Sequence, residues 1–441
     1  MKKKFVLILL LMSLSIFLFN CKGDKLNKST KGKLSIWLGY GETLPAFEAA
    51  KEKFSKKYPN LEVELLTFTL REFESKLASS MPTGVGPDLL ALHDFIFERY
   101  YSNGYLAPLP SDQAAIVDDP KKMDPVFKPL VERDGNLYAI PYWTGKRCLF
   151  YNKDYFKEAG LTNPPKTMEE LWEYAEKLIK KDPNNGNLTR AGITLRLTGP
   201  TGGFQKLTDF YFQETGVQIL EQGKTPGTVR VTIKDNIDAA AKILMDHINH
   251  LHGAKKVDDW ALKHDAEAFS SGIAAMLLRE TWVIKFIEKN NPTLNFDTAP
   301  VPGSKFNGAY NYVETLAVNN DSKLKEATWE FIRILQEQDV LDVLVNESGY
   351  APLRKDRDFS AFLKDNPKYK PILEQPSENY INYFEPANLA YEEVTTRCGE
   401  IEQKAFLDKS LVNNLEGCRE VMLKVQEKAE QILKEQNILS E

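Results

Sequence analysis

Cysteine and histidine are scarce in this chain, four and five residues in 441. The motifs that usually announce a reactive centre are missing. There is no H-E-x-x-H, no G-x-S-x-G and no G-x-x-x-x-G-K-[ST], and Gly39-Tyr40-Gly41 does not extend to a dinucleotide fingerprint. No cofactor is therefore expected. The only metal-like grouping is His247, His250 and His252. On a helix the first two share a face and the third does not, no cysteine or paired carboxylate completes a set, and a solvated helix end is the expectation. Charge of one sign is also lacking: 57 Lys and Arg stand against 62 Asp and Glu, a net charge of −5. Without a basic stripe, a nucleic-acid partner is not expected. Internal repeats are absent, and no single Pro/Gly-rich linker divides the chain.

What is present begins at the N-terminus. Lys2-Lys3-Lys4 precedes an apolar run, Phe5 to Phe19, that falls short of the roughly 20 residues a membrane-spanning helix needs. Residues 1–21 read as a signal peptide ending at Cys21, and Leu18-Phe19-Asn20 resembles a relaxed bacterial lipobox. Lipidation of Cys21 is expected, although Phe19 and Asn20 depart from the small residues usual there. A plain secretory cleavage site is the alternative. Residues 22–33, rich in Lys, Gly, Asn and Ser, read as a flexible tether. Of the remaining cysteines, Cys398 and Cys418 both lie in a C-terminal helical region. Either those two form one bridge or three thiols stay free.

At this length two domains are expected. Strand-like runs alternate with helical periodicity in the β-α-β-α rhythm of an α/β sheet: Leu34 to Leu38, then Phe47, Ala50, Phe54 and Tyr58 at helical spacing, then Leu61 to Leu66 and Asp88 to Leu92. Thr167 to Glu170 fits a capping box. Between Asp134 and Leu161, Tyr138 to Ile140 and Cys148 to Tyr151 read as two short strands. Tyr142, Trp143 and Arg147 fall in the connection between them. Aromatic faces beside a cation suit a cleft for a polar, ring-shaped ligand.

Several blocks resemble the solute-binding proteins of sugar-type ABC importers, the maltose-binding-protein-like group. Gly135, Tyr138, Pro141 and Tyr142, then Tyr151 to Asp154, Phe156 and Ala159 to Leu161, match one block. Pro87 to Leu90 through Asp94 and on to Gly104–Leu109 matches another. Phe269 to Met276 with Trp282, and Ser348 to Arg354, match two more. The resemblance implies an α/β fold of two discontinuous lobes joined by a hinge, with residues 31–146 and 310–350 in one lobe and 147–309 and 351–441 in the other.

It also implies a ligand in the interlobe cleft. Asp94 matches a sugar-contacting Asp, with a helix N-cap as the alternative, and Trp282 matches a stacking Trp, with a core role as the alternative. Glu280 stands two residues before that Trp, where the family often has Gly. Trp143 and Arg147 fall at the first crossing, Tyr40 and Glu42 follow the first strand, and Thr201 to Phe204 opens a helix. Tyr383 is a late candidate. The implied function is a membrane-tethered, exported, monomeric receptor on the periplasmic or cell-surface face, handing a mono- or oligosaccharide to an ABC permease without catalysis. A glycerol-phosphate-like or other polar organic solute is the alternative cargo. A lipoprotein that binds a protein partner, or a glycoside hydrolase using Asp94 and Glu280, is the alternative function.

Overall fold

In the computed structural model, which describes residues 26–195, 200–225, 227–253, 264–374, 376–386 and 388–440, two lobes share one mixed eleven-stranded sheet. The expected signal peptide and Cys21 lie outside the described residues. The strands are β1 (Gly32–Leu38), β2 (Leu61–Thr67), β3 (Leu89–His93), β4 (Ile140–Asn152), β5 (Lys180–Lys181), β6 (Leu188–Thr194), β7 (Ala274–Glu280), β8 (Phe296–Ala299), β9 (Gly308–Val318), β10 (Ala351–Pro352) and β11 (Ile381–Tyr383). Their order is β2-β1-β3-β9-β4-β7-β6-β5, with β8 and β10 added on β4 and β11 on β9. The tether expected over 22–33 gives way to β1 at Gly32, because parallel pairing with β2 extends from Leu34 back to Gly32.

Each lobe follows from local patterning. In the first, α1 (Leu44–Lys57) tolerates Pro45 in its first turn and turns Phe47, Ala50 and Phe54 onto the sheet. A Thr69–Glu72 capping box starts α2 (Leu70–Ser80), and α3 (Asp94–Ser102) follows β3 directly. In the second lobe, α4 (Met168–Leu178) starts where Thr167 accepts from the Glu170 N–H at 3.1 Å; the Glu170 carboxylate accepts from Lys166 N, one residue earlier than a capping box requires. Then come α5 (Pro200–Thr215), α6 (Ile237–Gly253) and α7 (Trp282–Asn290). The chain returns to the first lobe for α8 (Lys325–Leu335) and α9 (Gln338–Ser348), and ends in the second with α10 (Tyr391–Leu407) and α11 (Leu415–Glu435).

The two short strands expected around residues 138–151 are one strand, β4, with Tyr142, Trp143 and Arg147 inside it and every residue but Tyr151 buried. No turn is needed, because β4 changes partner midway. It pairs with β9 from Ile140 to Lys146 and with β7 from Arg147 to Tyr151, so the central backbone groups stay satisfied. Gly145 sits at the change. A Cβ there would lie 2.4 Å from Cε1 of Tyr312, an approach only glycine allows.

Of the two alternatives for the cysteines the structure has the free thiols, and the expectation for the histidines is corrected. Cys148, Cys398 and Cys418 are free and buried. Cys398 Sγ lies 3.6 Å from the Val425 carbonyl and Cys418 Sγ 3.8 Å from that of Leu411, so the two thiols point to separate carbonyls and form no bridge. His247 and His250 do not end a solvated helix. They are 1% and 3% exposed and pack against Trp172, because α6 turns that face inward. Among the described residues no group of three or more His, Cys, Asp or Glu is placed to hold a metal, and no helix is long and apolar enough to cross a membrane.

Candidate ligand-binding cleft

Where the lobes meet, a cavity of about 390 Å³ opens beside the carboxyl ends of β1 and β7. The first lobe contributes Tyr40 and Glu42, which follow β1, and Arg71 and Glu74 from successive turns of α2. Phe95 comes from the first turn of α3. The second lobe contributes Arg279 and Glu280 at the end of β7, Trp282 at the start of α7, and Tyr391 and Glu392 at the start of α10. Tyr310 and Tyr312, on shared strand β9, and Tyr350, in the turn after α9, complete the wall.

The aromatic wall is held from behind. Trp143 is buried and stacks on Tyr350 with ring centroids 3.8 Å apart, while Tyr40 packs edge-on to His93, Trp143 and Tyr350. Tyr312 Oη donates to Tyr350 Oη at 3.3 Å, and Tyr350 Oη donates to Glu42 Oε1 at 2.7 Å. The phenols of Tyr312 and Tyr350 are thereby fixed in orientation.

Charge in the cleft is already largely committed. Glu280 accepts from Arg147 Nε at 2.8 Å and from Arg279 Nη1 at 2.9 Å, and Arg147 also donates to the Asp209 carboxylate. Burial opposes ionisation of Glu280, but Arg279, Arg147 and Lys206 hold its carboxyl well below the usual range. Arg279 also meets Asp265 at 3.3 Å and lies over the Trp282 ring. Arg71 Nη1 donates to Glu74 Oε2 at 2.8 Å. Glu74 Oε1, by contrast, is buried with no hydrogen-bond partner, and burial raises its pKa against the pull of Arg71. It is an acceptor waiting for a donor.

The structure therefore sorts the residues singled out in the sequence. Tyr40, Glu42, Glu280 and Trp282 line the cavity together. Trp143 does not reach it and buttresses Tyr350, whereas Arg147 is sealed in ion pairs. Asp94 is fully buried, with Oδ1 accepting from Val313 N at 3.4 Å, and it is the first residue of α3 whereas His93 holds the N-cap position. Phe204 is core between helices of the second lobe. Tyr383 stacks on Phe212 and donates to Asp209. Glu74, Phe95, Tyr310, Tyr312, Tyr350 and Tyr391 escaped the sequence reading. For Tyr350 a signal existed, since it lies inside the Ser348–Arg354 block; the α2 residues carried only the Thr69–Glu72 cap.

Residues 49–371 match the sequence profile of a family described as bacterial extracellular solute-binding protein. The arabinooligosaccharide-binding protein of Bacillus subtilis is 25% identical over 84% of this chain and 84% of its own length. The maltotriose-binding protein of Pyrococcus abyssi is 25% identical over 73% of this chain and 66% of its own. Among solved structures, the sugar-binding protein MalE from Xanthomonas citri superposes with a TM-score of 0.74 at 20% identity, covering 92% of this chain and 98% of that one.

Proposed function

Because this chain belongs to the bacterial extracellular solute-binding protein family, we propose that it is an exported receptor that holds a neutral mono- or oligosaccharide between its lobes and delivers it to an ABC importer. The observation that carries this reading is the make-up of the cleft: aromatic faces from both lobes surround carboxylates that outnumber the guanidiniums. Pyranose C–H faces stack on Trp282 and the tyrosines, and sugar hydroxyls donate to Glu74 and Glu42. A glycerol-phosphate-like cargo would need an uncommitted cation. Arg71 and Arg279 are both engaged by carboxylates, and Arg147 is buried beneath them. The sugars in the names of the relatives above support the same choice.

The lobes proposed are residues 31–146 with 310–350 and residues 147–309 with 351–441, and the partner change in β4 between Lys146 and Arg147 supports a hinge there. Ligand contacts made from both sides favour the closed state, which docks on the permease. A lipid on Cys21 holds the receptor to its membrane as a monomer. The process is binding without bond cleavage. A glycosidase would need two free carboxylates facing each other, but Asp94 is buried off the cavity and both Glu280 oxygens are taken.

A thermal-shift screen of the chain from Lys22 onward tests this, with neutral oligosaccharides, sugar phosphates and polyols as additives. Ligand at about a hundred times its dissociation constant adds roughly 2.7 kcal/mol of stability. Neutral sugars are expected to raise the melting temperature and to be recovered unchanged. A shift with sugar phosphates alone, or hydrolysis of the sugar, overturns the proposal.

A further inference from the structure

We propose that the second lobe carries a second ligand site, a groove between α4 and α6 that takes a small aliphatic amine with two or more ammonium heads. The groove encloses about 720 Å³ and shares no lining residue with the interlobe cleft. Its floor is apolar. Trp172 and Phe210 stack there at 5.4 Å, beside Ile243.

The rim is acidic. On α4, Glu169, Glu173 and Glu176 fall on one helical face, and Glu214 and Asp246 face them from α5 and α6. The one lysine in the lining, Lys242, is bound to Asp246 at 2.6 Å. Glu214 is engaged by Lys305 and Ser304, and Glu176 by His250. The carboxylates of Glu169 and Glu173 have neither a hydrogen-bond nor an ion-pair partner among the described residues. Such a rim repels phosphates and other anions, and a neutral solute leaves its charge uncompensated.

A buried imidazole gives the site its direction. His247 is 1% exposed and lines the groove, with its ring edge-on to Phe210 at 4.4 Å. Its Nδ1 lies 2.8 Å from the carbonyl of Ile243, one turn back on its own helix. A carbonyl only accepts, so Nδ1 carries the proton and Nε2, at the far end of the ring, presents a bare lone pair. Nε2 is buried and has no hydrogen-bond partner. Burial lowers the pKa of the ring to about 4, which keeps it neutral and accepting near pH 7. A shift of the part-buried Trp172 ring, which packs on His247, lets an ammonium head reach Nε2 and supply a donor, methylenes lie along Trp172 and Phe210, and a second head meets Glu169 and Glu173. Those α4 carboxylates recur over roughly 10 Å of helix, a length suited to two heads joined by a chain.

Isothermal titration at low salt with 1,5-diaminopentane and spermidine tests the assignment, with 1,5-pentanediol as the uncharged control. Both amines are expected to bind the full chain and the diol not to. E169Q/E173Q, which changes exposed side chains only, is expected to weaken the amines at least about tenfold. W282A, in the other cavity, is expected to leave them unchanged. Absence of heat from both amines at millimolar concentration overturns the proposal, as does binding that survives E169Q/E173Q or disappears in W282A. So does binding of a tetralysine peptide where neither amine binds, a result that would give the groove to a basic protein segment.

Discussion

Asp94 is a carboxyl group that the fold holds neutral below about pH 7, and replacing it with asparagine should stabilise the protein in a pH-dependent way. Burial raises its pKa from 3.8 to about 7, with His93 and the Val313 N–H pulling the other way. The sign follows from proton counting. Between about pH 4 and pH 7 the folded state holds the proton and the unfolded state has released it, so stability falls as pH rises through that window. At about 1.36 kcal/mol per pKa unit the cost above pH 7 is at most about 4 kcal/mol, and relaxation around a buried charge brings it nearer 2. D94N has no such penalty. The amide keeps an acceptor for Val313 N, and its own packing cost is the same at every pH, so it cancels in a comparison across pH. Urea unfolding of D94N and wild type at pH 4, 6 and 8 should give a stability difference that moves in the variant's favour by about 2 kcal/mol or more from pH 4 to pH 8. A difference constant within about 0.5 kcal/mol would refute the neutral carboxyl.

Other outcomes follow from the cleft. G145A should drive its Cβ into the Tyr312 ring, 2.4 Å away, costing about 1–3 kcal/mol of stability and weakening sugar binding measured by titration calorimetry. E280Q should destabilise by about 3 kcal/mol at pH 7, since Arg147 and Arg279 lose the carboxylate between them. Because the folded pKa of Glu280 is depressed, its contribution is present above the unfolded value and lost as pH falls through the folded one, so chemical denaturation should show this gap shrinking in acid. W282A should lower affinity for a bound oligosaccharide by roughly 10–100-fold, from the lost ring face and its burial.

The alternation of strands and helices was legible because α1 and β1 each show one buried face, at 3.6-residue and two-residue period. β4 was not, because a strand buried on both sides carries no alternation, and Tyr142, Trp143 and Arg147 read as a connection between two short strands. In the site, Tyr40, Glu42 and Trp282 could be found because they follow strand ends or sit in a recognisable block. Arg147 and Trp143 misled for a common reason: the residue types that recognise ligands also build the frame behind them, and only distance separates the two. Glu74 announced nothing, since its role depends on where α2 lies against the other lobe.

Strand β9 closes the edge of β3 across a large gap in sequence. The hydroxyl of Thr315 donates to the Leu92 carbonyl across a sequence separation of 223. A chain growing at roughly 5–20 residues per second emerges with β1, β2 and β3 long before their neighbour exists, a wait of about 10–45 s. Over that interval β3 offers an apolar, unpaired edge to any other strand it meets. A newly made chain therefore carries that open edge until the return crossing arrives.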